Sequence, residues 1–226
     1  MASRKKKASA KAGAEVFAND AERTKADILA VATEEFATYG LSGARVDAIA
    51  ERTRTSKRMI YYYFKGKEGL YRAVLEKAYS EIRSLDTQVG IEDSEPVEAI
   101  RKIIETTFDY DETHPFFISL VAAENVQRGR NLAKLKSIKP RNAVVLQVLS
   151  AILARGAREG VFRDDVSALD LHLLISSFCV FRVSNRFTFS TIFDCELSDP
   201  QVRTRHKKMF MEAVLRYLEP TKRTNA

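Results

Sequence analysis

Apolar residues recur at spacings of three and four along almost the whole chain, which is the periodicity of helices with one buried face. The first such pattern starts at Glu22, carries Ile28, Ala32 and Phe36, and ends at Gly40. No stretch of the 226 residues reads convincingly as a strand. The sequence therefore predicts an all-α fold of about nine or ten helices.

Serines and prolines indicate where the later helices begin. Ser56 and Ser167 offer hydroxyl caps for helices that run through Phe64 and about Phe187. A proline is tolerated in the first turn, because its missing N–H has no partner there in any case. Further helices are therefore expected to open at Pro96, Pro115, Pro140 and Pro200. The first covers Val97 to Phe108, and the others end near Gln127, Arg158 and Leu218.

The pattern divides the chain into four parts. Residues 1–21 are rich in Ala, Lys and Ser and predict a disordered basic arm, or a solvated tail without a role. Residues 22–67 contain three short helices, and residues 68–85 form one connecting helix. Residues 86–226, which begin with a polar link through residue 95, form a larger helical-bundle domain.

The three short helices have the plan of a helix-turn-helix unit. The third carries Lys57, Arg58, Tyr61, Tyr62 and Tyr63. Ile60 and Phe64 are four residues apart and share the face that anchors this helix to the core. The other faces are left for the major groove of DNA, where the first turn of a helix reaches base edges.

The charge of the chain points to a polyanionic partner. The net charge is +7, and residues 1–88, with 17 basic and 12 acidic residues, carry most of it. Two cysteines form no disulfide framework, which favours a reducing cytoplasm. No apolar run is long enough for a membrane span, and Arg4-Lys5-Lys6-Lys7 lacks the apolar segment of a secretory signal.

The stretch from Gly40 to Tyr71, "GLSGARVDAIAERTRTSKRMIYYYFKGKEGLY", resembles the DNA-binding signature of the TetR family. The resemblance lies in an Ile-Ala pair in the second helix, a Ser cap, an aliphatic-Tyr-Tyr-aromatic-Phe run and a Lys-x-Lys-Glu segment. The family usually has Ala-Gly-Val in the turn, whereas this chain has Thr53-Arg54-Thr55. Without glycine, the turn is expected to strain a residue or to take a different path.

The resemblance implies a role for each matching residue. Arg45 and Lys67 would contact phosphates, and Ser56, which caps the recognition helix, belongs to the same DNA-binding set. Arg54 departs from the family's turn, and the alternative to strain there is that it adds a phosphate contact. Tyr61 and Tyr63 match positions that touch the DNA backbone, whereas Lys57, Arg58 and Tyr62 match positions that face the groove. Arg58 is the candidate for a guanine edge, because its guanidinium can donate two hydrogen bonds.

Two late helices suit a dimer interface. The segment 169–187 is apolar on nearly every side, and the last helix carries Phe210, Val214, Tyr217 and Leu218 on one face. In the family such helices pair with those of a second subunit, and a two-fold four-helix bundle would bury both. The alternative is that they pack against each other within one chain.

Polar residues set in apolar helices predict the ligand site. They are Glu124, Asn125, Arg182 and Asn185, with apolar neighbours Phe117, Leu120 and Phe178. The strings "ENVQRGR" and "VSNRFTF" are similar to segments of TetR-like regulators of catabolic genes. The alternative is a buried set of hydrogen bonds and salt bridges.

The leading hypothesis is a homodimeric, cytoplasmic regulator that binds palindromic double-stranded operator DNA as a repressor and is released by a small-molecule effector. We expect no enzyme activity, cofactor, metal or membrane partner, because the three histidines form no zinc-type pair and phosphate-loop and nucleophile-elbow motifs are absent. The alternatives are a non-specific architectural DNA-binding protein and an enzyme with an accessory helix-turn-helix. The operator, the effector and the sign of regulation stay open.

Overall fold

The structure is a computed structural model that describes the backbone of residues 2–88 and 94–220 and the side chains of residues 20–82 and 94–220. The described residues form ten α-helices and a 3₁₀ turn, and they include no strand. The all-α prediction is thus confirmed. The chain divides into two compact units, residues 1–75 and 76–226.

The first unit contains α1 (Ala2–Gly43), α2 (Val46–Arg52), α3 (Lys57–Phe64) and the start of α4 (Lys67–Gln88). Gly40 interrupts α1 with a φ of 65°, as its predicted role as a helix end requires. Phe36 and Tyr71 are fully buried and meet edge to face, with ring centroids 5.0 Å apart. This contact and the buried Ile28, Ile49 and Ile60 make the small core on which α3 is fixed.

The second unit continues α4 and adds α5 (Pro96–Thr113), α6 (Pro115–Val126), a 3₁₀ turn (Leu132–Lys134) and α7 (Ile138–Arg158). It ends with α8 (Ala168–Ser184), α9 (Arg186–Phe193) and α10 (Pro200–Leu218). Helix α8 is the centre of this bundle, since it packs against α5, α6, α7 and α10. Its inner face buries Leu171, Ile175 and Cys179.

Several helix boundaries differ from the sequence prediction. Helix α4 continues to Gln88, beyond its predicted end at residue 85 and into the predicted polar link, and α7 begins at Ile138 rather than at Pro140. Helix α1 includes residues 2–21, whereas the sequence predicts a disordered arm there. The helix forms because Ala and Lys, which are frequent in this segment, both have high helix propensity.

The segment 169–187, predicted as one helix, contains the end of α8 and the start of α9. Helix α8 ends at Asn185, whose backbone N–H donates to the carbonyl of Phe181. Asn favours such ends because its side chain also bonds nearby backbone. Most of the predicted polar link, residues 89–93, lies outside the described residues.

Capping residues confirm most predicted helix starts. The Ser56 hydroxyl accepts from the backbone N–H of Met59 (3.2 Å), and that of Ser167 accepts from the N–H of Asp170 (3.1 Å). Pro96, Pro115 and Pro200 lie in first turns. No helix among the described residues is long and apolar enough to cross a membrane.

Candidate nucleic-acid interface and ligand cavity

Helix α3 is anchored on one face and exposed on the others. Ile60 is fully buried, whereas Lys57, Arg58, Tyr61 and Tyr62 are exposed. The Ser56 cap satisfies an N–H group of the first turn, so that the helix begins in a fixed orientation. The structure therefore presents the first turn of α3 as the sequence predicts for a recognition helix.

Most of the predicted DNA-contacting residues lie at the surface. Seven of the nine are exposed, namely Arg45, Arg54, Ser56, Lys57, Arg58, Tyr61 and Tyr62. Tyr63 is half-buried beneath the ammonium group of Lys25, 5.5 Å from the ring centroid. Lys67 is also half-buried, and its Nζ donates to the carbonyl of Ser42 at 3.0 Å. Lys67 thus ties the start of α4 to the end of α1.

The cationic side chains on the surface of this unit differ in their ion-pair and hydrogen-bond partners. Lys57 pairs with Asp47 (Nζ–Oδ1 3.0 Å), and that hydrogen bond raises the pKa of the lysine. Arg52 pairs with Glu34. Within the described residues, no hydrogen bond or ion pair engages the guanidinium groups of Arg45, Arg54 and Arg58. These three groups can contact an incoming phosphate or base without breaking an internal pair.

The turn between α2 and α3 contains the strain that its sequence predicts. Arg54 has a φ of 52°, in the left-handed region that favours glycine. Its N–H donates to the carbonyl of Glu51 (3.1 Å), and the N–H of Thr55 donates to that of Ala50 (3.0 Å). These two bonds form a Schellman motif with Arg54 at the position where glycine is usual.

Replacing Arg54 by glycine is expected to stabilise the protein. Relieving the strain of a non-glycine residue in this region stabilises the folded state by about 1–3 kcal/mol. The greater conformational freedom of glycine in the unfolded chain offsets about 0.5–1 kcal/mol of that. We expect Arg54→Gly to raise the free energy of unfolding by about 1 kcal/mol in urea denaturation and to weaken DNA binding by the loss of one cation. Arg54→Ala is the control, since it removes the charge and keeps the strain. A less stable Arg54→Gly variant would contradict this account of the turn.

A cavity of about 240 Å³ lies inside the second unit. Its volume is slightly below the range of about 300–1,000 Å³ that is usual for ligand pockets, so that it suits a small molecule. Its apolar wall includes Ile82, Ile103, Phe117, Val121, Val145 and Ile175. Its polar side chains are Tyr79, Thr107, Asp111, Asn142, His172 and Ser176.

Of the seven predicted ligand residues, only Phe117 lines this cavity. Its ring meets that of Tyr79 edge to face at 5.3 Å. Leu120 is fully buried in the bundle. Phe178 stacks on Phe210 with ring centroids 4.3 Å apart, so that it packs between α8 and α10.

Glu124 and Asn125 have structural partners. The Glu124 carboxylate is buried and accepts from the backbone N–H groups of Asn131 (2.6 Å) and Leu132 (3.1 Å). It thereby holds the 3₁₀ turn against the end of α6. Asn125 is exposed and donates to the carbonyl of Val121. Neither side chain lines the cavity, and their role as ligand contacts stays a prediction.

Arg182 and Asn185 also lie away from the cavity. Arg182 is 3% exposed and pairs with Glu112 (2.9 Å), donates to the carbonyl of Leu197 (2.7 Å) and contacts the ring nitrogen of His206. Burial, followed by the charge of Arg182, lowers the pKa of His206. Because a guanidinium only donates, the ring nitrogen accepts this bond. Asn185 caps the end of α8. The contacts of Arg182 fit the alternative of a buried set of hydrogen bonds and salt bridges, and the role of Arg182 and Asn185 at a ligand stays a prediction.

Sequence reasoning missed all six polar cavity residues. A signal for them exists in the spacing, since Ile103, Thr107 and Asp111 recur every four residues on α5. His172 and Ser176 are likewise four apart on α8. Each set lies along one helix face. Only the packing of α5 against α8 shows that the two faces meet.

Helices α8 and α10 leave an apolar surface uncovered. Leu169 (61% exposed), Leu173 (64%) and Phe181 (50%) lie on one face of α8. Met209 and Tyr217 form a second exposed stripe on α10. An apolar groove between the two helices is lined by Leu174, Ala213 and Tyr217 among others. We call these two stripes and the groove the α8–α10 face.

The apolar residues of α10 that the sequence predicts at a dimer interface lie mostly on the inner face of this helix. Phe210, Val214 and Leu218 are at most 5% exposed and belong to the core of their own chain. Of the four α10 residues expected at a partner, only Tyr217 is exposed. A helix with two apolar faces gives no indication from sequence of which face is internal.

Comparison with protein families gives two matches. Residues 28–74 match the model of the bacterial regulatory proteins of the tetR family. Residues 96–214 match the Tetracyclin repressor-like C-terminal domain. Together these matches include α2, α3 and the cavity-lining helices α5 to α8.

Individual proteins are similar over most of their length. The HTH-type transcriptional repressor NicS of Pseudomonas putida is 32% identical over 203 residues, which cover 90% of this chain and 96% of NicS. The HTH-type transcriptional repressor SCO4008 of Streptomyces coelicolor is 34% identical, over 70% of this chain and 77% of that protein. Among solved structures, the transcriptional regulator SCO4942 of Streptomyces coelicolor is 25% identical with a TM-score of 0.65, over 86% of this chain and 98% of that one.

Proposed function

Because this chain belongs to the TetR family of bacterial regulators, we propose that it is a homodimeric repressor that leaves a palindromic operator when a small effector binds. The observation that carries the proposal is the exposed first turn of α3, with Arg58 unengaged among the described residues. The name repressor comes from NicS and SCO4008 and is extended here to this chain.

The α8–α10 face supports the dimer. A contiguous apolar surface of this kind marks an interaction site on a folded protein. Exposed residues four apart on two neighbouring helices can interdigitate with a symmetry copy of themselves. A two-fold dimer presents two copies of α3, which would read successive major grooves if their centres lie about 34–36 Å apart.

The cavity supports control by an effector. Tyr79 and Ile82, which line it, belong to α4, and the same helix begins at Lys67 beside the DNA-binding residues. An effector that prefers one position of α4 would change the spacing of the two α3 helices. A hundredfold change in operator affinity requires about 2.7 kcal/mol of coupling, which is usual for allosteric proteins.

Two substitutions distinguish base contacts from phosphate contacts. Arg58→Ala is expected to cost about 1–3 kcal/mol on the operator and to relax the preference at one base pair. Lys67→Ala is expected to weaken binding evenly across sequences and to lower the slope of log affinity against log salt by about one. Fluorescence anisotropy with operator and scrambled duplexes at several salt concentrations measures both effects.

Lys139→Ala is the matched control, because this exposed lysine lies on α7 in the other unit. It should leave both affinities unchanged. An Arg58→Ala variant with the affinity and base preference of the wild type would show that α3 reads DNA through other residues.

A further inference from the structure

An acidic residue lies on the buried face of α1. Ile28, Ala32 and Phe36 on that face are fully buried, and Glu35, three residues after Ala32, is only 7% exposed. A carboxylate is rarely buried without a partner, because removing its charge from water is costly. The burial of Glu35 therefore indicates a specific contact inside the first unit.

That contact is with the backbone at the start of α2. The Glu35 carboxylate accepts a hydrogen bond from the backbone N–H of Arg45 at 2.9 Å. Arg45 is the N-cap residue of α2, and its own side chain makes no capping hydrogen bond. Among the described residues, no second donor bonds to the Glu35 carboxylate. The carboxylate thus ties α1 to the point where α2 begins.

A negative charge suits this end of α2. The N-terminus of a helix has N–H groups without intrahelical partners and a partial positive charge. In α3 the preceding residue, Ser56, supplies the cap. In α2 an acid from another helix lies at that end. At the other end Glu34 of α1 pairs with Arg52, but their side chains are 47% and 44% exposed, and such pairs contribute little.

The backbone that Glu35 holds carries a predicted phosphate contact. Arg45 is exposed, and its guanidinium group has no partner among the described residues. Phosphate contacts fix the register of a protein on the duplex. A fixed backbone reduces the conformational freedom that a long side chain loses on binding, and so favours the bound state.

We propose that Glu35 is a positioning residue for DNA binding: its carboxylate holds the backbone of Arg45 where the guanidinium reaches an operator phosphate. Glu35 itself is buried and acts through Arg45 alone. This inference rests on the proposed function, because it assigns Arg45 to an operator phosphate.

The test is a double-mutant cycle on the full chain with Glu35→Leu, Arg45→Ala and the double variant. Fluorescence anisotropy on a palindromic duplex identified beside the gene, at several salt concentrations, gives affinity and salt slope. We expect each single variant to bind about tenfold more weakly and to lower the salt slope by about one. The double variant should match Arg45→Ala within about twofold, because the two side chains act as one unit. Losses that multiply to about a hundredfold, or wild-type affinity in Glu35→Leu, would overturn the inference.

Two further variants separate positioning from the stability of α1. Glu35→Gln keeps an acceptor oxygen and should stay within about threefold of the wild-type affinity. Glu34→Leu, the matched control, removes the neighbouring carboxylate and should change the affinity by less than about twofold. A loss as large as that of Glu35→Leu in either variant would overturn the assignment of the Arg45 contact.

Melting temperatures show which variants are folded at the assay temperature. If Glu35→Leu does not fold, Glu35→Asp replaces it, since this shorter side chain keeps the charge and withdraws the carboxylate from the N–H of Arg45. Glu35→Asp should also bind the palindrome several-fold more weakly, and wild-type affinity in this variant would overturn the inference.

The wild-type protein is titrated on the palindrome and on a scrambled duplex in the same series. Equal affinity for the two duplexes would contradict the proposed function. A preference for the palindrome together with an additive cycle would overturn only the role of Glu35 and leave the regulator proposal intact.

Discussion

Leu173→Asp is expected to convert the protein into a folded monomer that binds operator DNA poorly. Leu173 lies in the middle of the exposed stripe on α8 and is 64% exposed in the single chain. The carboxylate of the new aspartate would therefore be solvated in the monomer and buried only against a partner subunit. A charged group buried there without a counter-ion is strongly unfavourable. A monomer contacts one half-site, and losing the second costs about 10²–10⁴ in affinity.

Sedimentation velocity at micromolar concentration and operator anisotropy measure the two parts of this prediction. Val126→Asp is the control, because Val126 is 86% exposed at the end of α6, outside the α8–α10 face. Val214→Asp is expected to unfold the domain, since Val214 is 1% exposed in its own core. A Leu173→Asp protein that still sediments as a dimer would exclude the α8–α10 face as the interface.

Arg182→Ala is expected to destabilise the protein by about 3–5 kcal/mol, the usual cost of removing one partner of a buried ion pair. The substitution leaves Glu112 without its cation and the carbonyl of Leu197 without its donor. It also removes the guanidinium from above the ring of Phe108, at 5.0 Å. Urea denaturation followed by circular dichroism measures the loss.

Two further variants separate the ion pair from its surroundings. Arg216→Ala breaks an exposed pair with Glu212 on α10 and should cost less than about 1 kcal/mol. Arg182→Met combined with Glu112→Leu should recover much of the stability, because an apolar pair replaces the buried charges. A stable Arg182→Ala protein that has lost its effector response would restore Arg182 as a ligand contact.

The DNA-binding unit is predictable because its signals are local. The Ser56 cap, the Gly40 stop and the spacing of Ile60 and Phe64 each act within a few residues of sequence. Even the strain at Arg54 follows from a missing glycine in one turn. Such features depend little on the rest of the fold.

The ligand site is harder to predict because polar residues in apolar helices have several uses. Glu124 and Arg182 are predicted as ligand contacts, whereas in the structure Glu124 accepts from backbone N–H groups and Arg182 pairs with an acidic residue of another helix. Sequence spacing gives no information on those partners. The cavity itself forms where α4, α5, α6, α7 and α8 converge, and such convergence is a tertiary property.

The central claim is that a dimer of this chain recognises a palindrome. It is tested most directly by titrating the protein on a palindrome identified by searching the DNA beside its gene and on a scrambled duplex of equal length. We predict two chains per palindrome and an affinity at least about 10³-fold higher for the palindrome at physiological salt. Equal affinity for both duplexes, with a steep salt dependence, would contradict the account and identify a non-specific DNA-binding protein.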